Sequence, residues 1–196
     1  MATLAQAYLT TPRQAEGPFY PPRLPTDQDN DLVSVKGAHG TAKGEVTHLS
    51  GRVLDANARP LRGVRVEIWQ SDANGRYHHP GERSGADADP NFQGFGHFVT
   101  GAEGGYLFRT IKPVPYPGRA PHIHFKLRSR DFPEFVTQMY IAGHPQNERD
   151  ALFAGITEGR RRSSLLANFL PIKAPGGATE FSAQFDIVLG FTPKQA

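Results

Sequence analysis

Seven residues, His122-Ile-His-Phe-Lys-Leu-Arg128, alternate polar and apolar without a break. Only a β-strand places residues i, i+2 and i+4 on one face. Ile123, Phe125 and Leu127 therefore face a core, while His122, His124, Lys126 and Arg128 share the opposite face. The same period recurs at Val64, Val66 and Ile68, and at Phe181, Ala183, Phe185, Ile187 and Leu189. Between such runs lie 21 glycines and 17 prolines, the punctuation of short strands joined by turns. Strands are expected over 46–54, 63–70, 105–111, 120–128, 134–141 and 181–190, with one short helix over 147–153. Residues 78–104 and 155–178 read as mostly loop, and 1–45 as an irregular arm rich in Pro, Asp and Asn. The expected fold class is all-β: one β-sandwich domain over 46–196, with the arm part of the same domain. A chain of 196 residues needs no second domain.

On a strand, His122 and His124 point the same way with Cα atoms roughly 6.5–7 Å apart, close enough for two imidazoles to meet at one metal ion. Taken alone, two polar residues on a half-exposed strand explain the pair equally well. Two tyrosines alter that balance. Tyr116 sits between Pro115 and Pro117, whose fixed φ angles restrict the backbone, and Tyr77 follows a turn at Asn74-Gly75. A phenol titrates near pH 10, so it binds metal well only where the metal displaces its proton, as a hard trivalent cation does. Zinc, calcium and copper sites draw instead on cysteine, histidine, carboxylate or carbonyl ligands. Two phenolates, two neutral imidazoles and a hydroxide would balance ferric iron and leave no buried net charge. The chain has six tyrosines, however, and donor logic alone does not single out these two.

The order of longer segments does. They are Gly17-Pro-Phe-Tyr20, Gly51-Arg-Val-Leu-Asp55, Val66-Glu-Ile-Trp-Gln-Ser-Asp-Ala-Asn-Gly-Arg-Tyr77, Asp89-Pro-Asn-Phe-Gln-Gly94, Gly105-Tyr-Leu-Phe-Arg-Thr-Ile-Lys-Pro113, Pro115-Tyr-Pro117, Arg119-Ala-Pro-His-Ile-His-Phe125, Thr137-Gln-Met-Tyr140 and Phe185-Asp-Ile-Val-Leu-Gly190. In this order the chain resembles the intradiol ring-cleavage dioxygenases, and within them the protocatechuate 3,4-dioxygenase type. The segments from Glu67 to Tyr77 and from Arg119 to His124 carry the specificity, whereas glycine and proline turns alone carry little.

The resemblance implies a β-sandwich and a non-haem Fe(III) cofactor held by Tyr77, Tyr116, His122, His124 and a hydroxide. It implies that a catechol binds as a dianion in place of the hydroxide and Tyr116. Dioxygen then inserts between the two hydroxyl-bearing carbons to give a cis,cis-muconate. Arg119 matches the family's active-site arginine, suited to stabilising anionic character on the ring, and Gln138 matches a glutamine beside it. All four ligand positions are present, so the chain resembles the catalytic, beta-like chain. The implied partners are a small-molecule catechol and O2, with assembly as a homo-oligomer or with a ligand-less alpha-like subunit. The Tyr116–His122 stretch is short, which implies an open pocket roof. No helical N-terminal extension of the catechol or hydroxyquinol 1,2-dioxygenase kind is seen.

Composition sets limits. There is no cysteine, which excludes disulfides, thiolate metal sites and cysteine nucleophiles. No apolar run approaches a membrane span, and Met1–Ala7 lacks the basic start and apolar stretch of a secretory signal; a cytoplasmic location is the expectation. Net charge is +3. Arg160-Arg-Arg162 lacks aromatic interleaving and reads as a solvated loop, so neither nucleic acid nor membrane is an expected partner. Two other classes of function compete with ring cleavage. A non-catalytic β-sandwich binding module accounts for residues 51–68 but not for the tyrosines and histidines together. A ferrous oxygenase with two histidines and one carboxylate needs a carboxylate beside His122 and His124, and Glu67 and Asp72 are expected on an exposed face or in a turn. His78, His79, His97 and His144 carry no pairing signal, and Trp69 is expected to pack under the site.

Overall fold

The computed structural model describes residues 9–83, 85 and 87–193. The first eight residues of the arm, including Met1–Ala7, and residues 194–196 lie outside the described part. Among the described residues ten strands follow in order: β1 Val46–Leu54, β2 Arg65–Trp69, β3 Phe95–Val99, β4 Gly105–Ile111, β5 His122–Arg128, β6 Phe135–Ile141, β7 Leu166–Ala167, β8 Phe169–Lys173, β9 Thr179–Gln184 and β10 Ile187–Val188. A single turn of 3₁₀ helix at Asn147–Arg149 precedes the short helices α1 Ala151–Ala154 and α2 Gly159–Ser163. One sheet gathers β4, β1, β10, β9 and β8; the other runs β3-β2-β5-β6-β7.

The two sheets face each other across the apolar halves of their alternating strands. Leu49 and Val53 of β1, Phe108 of β4, Val66 and Ile68 of β2, Ile123, Phe125 and Leu127 of β5, and Met139 of β6 form one buried cluster. Register then fixes what lies on the other face of the second sheet. Ile68, Phe125 and Thr137 pair across three strands and point inward, so the neighbouring row Trp69, His124 and Gln138 points outward. The rows beside it hold Glu67, Lys126 and Val136, and His122 with Tyr140.

That outer face is covered by the N-terminal arm. Gln138 of the outward row donates to the Ala15 carbonyl, Tyr20 donates to Glu67, and Glu16 pairs with Lys126. Earlier in the arm, the amides of Thr11 and Gln14 donate to the carbonyls of Val188 and Val136, and the Pro12 carbonyl accepts from the inward-facing Thr137. Strand β5 is consequently buried on both faces. The expectation that Glu67 is exposed is corrected for this reason: it is 1% exposed. It accepts from Tyr20 Oη at 2.9 Å and Arg65 Nε at 2.7 Å. Lys126 is buried too, lying over the Tyr20 ring and pairing with Glu16 of the arm.

Other boundaries also differ from the sequence reading. Strand β3 lies inside the expected 78–104 loop. Its pattern is broken by Gly96, where an added Cβ would lie 2.4 Å from the carbonyl oxygen of Asp29 in the crossing arm. The expected loop 155–178 contains α2, β7 and β8. Strand β8 pairs only with β9 and exposes most of its residues, so it has no core periodicity, and it tolerates Pro171 as edge strands do. The single strand expected over 181–190 is two, because the Asp186 carboxylate takes the Arg52 amide at 2.9 Å in place of a ladder bond. The helix expected over 147–153 is split at Asp150, which caps α1.

Candidate metal centre

Three local structures deliver the sequence-singled residues to one point. The first is strand β5, whose pleat aims His122 and His124 outward together. The second is the turn after β2. Asp72, expected in a turn or on an exposed face, is in the turn but fully buried. Its Oδ1 accepts from the amides of Asn74 and Arg76, and its Oδ2 from that of Asp89. Gly75 supplies the positive φ (77°) needed there, and a Cβ added to it would lie 3.3 Å from Cβ of Tyr116. The third is Tyr116-Pro-Gly-Arg119, a turn with proline second and glycine third at φ 80°, the preference of a type II turn. The Arg119 amide closes it onto the Tyr116 carbonyl at 2.9 Å, so a phenol and a guanidinium leave the turn side by side.

The four expected ligands meet. Nε2 of His122 lies 3.1 Å from Nε2 of His124, 3.4 Å from Oη of Tyr116 and 3.5 Å from Oη of Tyr77. Nitrogen and oxygen donors held about 2.0–2.2 Å from one metal ion stand about 3–3.5 Å apart, so the spacing fits a shared cation. His122 donates its Nδ1 proton to the Ala120 carbonyl at 2.6 Å, which leaves Nε2 a bare lone pair. His124 has no such anchor: its Nδ1 lacks a hydrogen-bond partner among the described residues. Packing holds it instead. Its ring stacks on Trp69 at 4.6 Å and 9°, and a Cβ added at Gly17 of the arm (φ 76°) would meet its edge at 3.5 Å.

Burial, and for His122 the nearby Arg119 charge, pushes the His122 pKa down to about 4. His124 is lowered too, by burial and by the nearby His122 and Arg119. Both imidazoles are thus neutral, the form that binds metal. Burial raises the phenols of Tyr77 and Tyr116, the former also through Tyr116 and the latter against the pull of Arg119. A phenolate at either place requires a cation to hold it. The donor set suits a hard, highly charged metal ion.

These histidines also set a stability signature in the absence of metal. An unfolded histidine binds a proton near pH 6.5, whereas folded His122 binds one only near pH 4. The stabilisation is complete above pH 6.5 and is lost as pH falls toward 4, at about 1.4 kcal/mol per pH unit for each histidine. Urea midpoints of metal-free protein at pH 7 and 5.5 check this; a flat profile contradicts the buried, neutral assignment.

Arg119 lies beside the cluster. Its Nη1 is 3.5 Å from the Tyr116 hydroxyl, Nη2 donates to Gln138 Oε1 at 2.5 Å and to Tyr140 Oη at 3.3 Å, and Nε donates to Asp150 at 2.8 Å. Burial works against its charge, but Tyr140, Tyr116 and Asp150 together raise its pKa. A cavity of about 430 Å³ opens there, lined by Tyr116, Arg119, Gln146, Arg149 and Asp150. Sequence reasoning missed Asp150, Tyr140 and the arm residues Gln14, Gly17 and Phe19. Asp150 had a signal, an aspartate just before Ala151-Leu-Phe, the place of an N-cap. Phe19 stacks on Tyr77 at 4.6 Å, and nothing local announces that contact. His79 and His97 bond instead to the Gly81 amide and the Gln28 carbonyl. Among the described residues no group of three or more His, Cys, Asp or Glu side chains gathers, so two histidines with a carboxylate are not found.

Comparison with known proteins gives the family. The family model described as Dioxygenase matches residues 15–190. The chain is 41% identical over 169 residues to the protocatechuate 3,4-dioxygenase beta chain of Burkholderia cepacia, covering 82% of this chain and 71% of that protein. It is 31% identical over 182 residues to the hydroxyquinol 1,2-dioxygenase of Rhizobium sp. (strain MTP-10005), covering 84% of this chain but 57% of that protein's length. Among solved structures, the dioxygenase domain of a dioxygenase carbohydrate-binding protein fusion from Streptomyces sp. SirexAA-E superposes with a TM-score of 0.69 at 33% identity, over 93% of this chain and 99% of that one. The chain belongs to the intradiol ring-cleavage dioxygenases, a family of oxidoreductases. Within that family it is of the protocatechuate type.

Proposed function

We propose that this chain is a catechol-cleaving intradiol dioxygenase that uses non-haem Fe(III) and O2 to open protocatechuate, or another substituted catechol, to a cis,cis-muconate. The observation that carries this reading is the approach of two phenol oxygens and an imidazole nitrogen to within 3.5 Å of His122 Nε2. Tyr77, Tyr116, His122 and His124 would hold the metal. Ferric iron supplies, when bound, a Lewis acid that lowers the catechol's proton affinity and activates its ring toward O2.

The protein side chains divide the remaining tasks. Tyr77 is buried beneath Phe19 and stays in place. Tyr116 is half-exposed at the cavity, so it can turn away and take a catechol proton on Oη. Arg119 directs a permanent positive charge to the same place and stabilises a ring carrying negative charge. Gln138 fixes the direction of that guanidinium. Trp69 and the arm keep water from the His124 side. The reading includes assembly, as a homo-oligomer or with an alpha-like chain, since one relative is itself a beta chain.

The test is the visible spectrum of the iron-loaded protein before and after anaerobic addition of protocatechuate. A red-brown tyrosinate-to-iron(III) band that shifts on addition is the expected result. A colourless protein that retains no iron overturns the reading.

A further inference from the structure

The Asp150 carboxylate is wholly buried, and all of its acceptor capacity is used. Oδ2 accepts from Arg119 Nε at 2.8 Å and from the Ala120 amide at 2.9 Å. Oδ1 accepts from the amides of Leu152 at 3.0 Å and Phe153 at 3.2 Å. Capping does not by itself call for this residue. Helix α1 has only four residues, and serine, threonine or asparagine caps a helix comparably. What those residues lack is the full negative charge, and that charge faces Arg119.

The second pair of bonds has a direct bearing on the site. By engaging Nε, Asp150 leaves both terminal nitrogens of Arg119 free for Tyr116, Gln138 and Tyr140. By holding the Ala120 amide, it also steadies the residue whose carbonyl accepts the Nδ1 proton of His122. One carboxylate thus sets the direction of the guanidinium and supports the tautomer of an expected ligand, although it lies 31 residues downstream of Arg119.

Resting on the function proposed above, we infer that Asp150 is a positioning residue for ring cleavage, acting through Arg119. It touches neither the four donors nor, on this assignment, the substrate, and its effect on rate passes through the guanidinium. Gln14 supports the far side of the same network: Tyr140 Oη donates to its Oε1 at 3.1 Å.

The test uses the iron-loaded full chain as Asp150→Asn and Asp150→Ser, both of which keep a side-chain oxygen for the cap. Each is expected to retain iron and the tyrosinate band. Each should lose about 10–100-fold in kcat, the range for residues that hold functional groups in place, with KM changed less than about threefold. In an Arg119→Lys background, adding Asp150→Asn should change kcat by less than about twofold, because the group it positions is already gone. A kcat within about twofold of the parent, or a full repeat of the loss in the Arg119→Lys background, overturns the inference. So does failure of both variants to fold, which would make Asp150 a scaffold residue only. A parent protein with neither colour nor cleavage activity would instead overturn the underlying functional reading.

Discussion

Tyr77→Phe is expected to abolish ring cleavage while leaving the fold intact. The tyrosine ring is stacked on Phe19 at 4.6 Å and lies edge-on to Tyr116 at 5.6 Å. A phenylalanine ring keeps both contacts. The oxygen that is lost faces His122 Nε2 at 3.5 Å and the Tyr116 hydroxyl, both within the donor cluster, so the change is confined to that cluster. Its removal takes a negative donor from a cluster where only neutral imidazoles and one phenol remain, and a trivalent ion would then leave uncompensated charge in a buried place. The loss in kcat/KM should be roughly a thousandfold or more, beyond the about 10–100-fold typical of residues that support ligands without binding metal. Iron content and the tyrosinate band should fall with it. Tyr116→Phe provides the contrast. Its ring is half-exposed beside the cavity, so this variant should keep more iron and more activity than Tyr77→Phe. Equal losses in the two variants would contradict the division of labour between a fixed and a mobile phenol.

Arg119→Ala should have the second largest effect, and it should act on two quantities at once. Removing one preorganised charged donor from a developing anion typically lowers kcat by about 10²–10³. The same change strands the Asp150 carboxylate, which is buried and kept below its ordinary pKa, against the effect of burial, by the Ala120 amide and by Arg119. Breaking one side of such a pair costs about 3–5 kcal/mol, so urea midpoints should fall with the rate. Arg119→Lys separates the two. A lysine ammonium can still neutralise Asp150, so stability should largely recover. A single ammonium cannot also reach Gln138, Tyr140 and Tyr116 in the manner of the three guanidinium nitrogens, so kcat should stay low. Recovery of rate together with stability would show that the guanidinium's shape is irrelevant to catalysis.

The residues legible in the sequence are those marked by a short local pattern or, for Tyr77, Tyr116 and Arg119, by the order of longer segments that carries the resemblance. His122 and His124 share a face because the strand period is two. Tyr116 and Arg119 emerge together because Pro117-Gly118 dictates the turn, and Tyr77 follows a turn marked by Asn74-Gly75 and shaped by Asp72. The two-sheet core follows from the alternation of Ile123, Phe125 and Leu127 with their counterparts on β1, β2 and β4. Strand β8 and strand β3 escaped because the core does not grip them on one face only: one is an exposed edge, the other is interrupted by Gly96 beneath the arm.

Tertiary structure alone decided the surroundings. Alternation assigned Glu67 and Lys126 to an outer face, and that face exists, but residues 15–20 lie across it and bury both. No periodicity in the arm announces this, because its hydrogen bonds run to Val136, Val188 and Leu152, more than a hundred residues away. The hold on Arg119 is equally non-local, drawn from Gln138, Tyr140 and Asp150. Sequence thus marked these donor atoms through the order of longer segments and the resemblance it carries, with strand period and turn geometry, both local properties, helping to aim them. How dry that point is, how its imidazoles titrate and where its guanidinium aims depend on segments distant in the chain, because burial and charge are properties of the packed molecule.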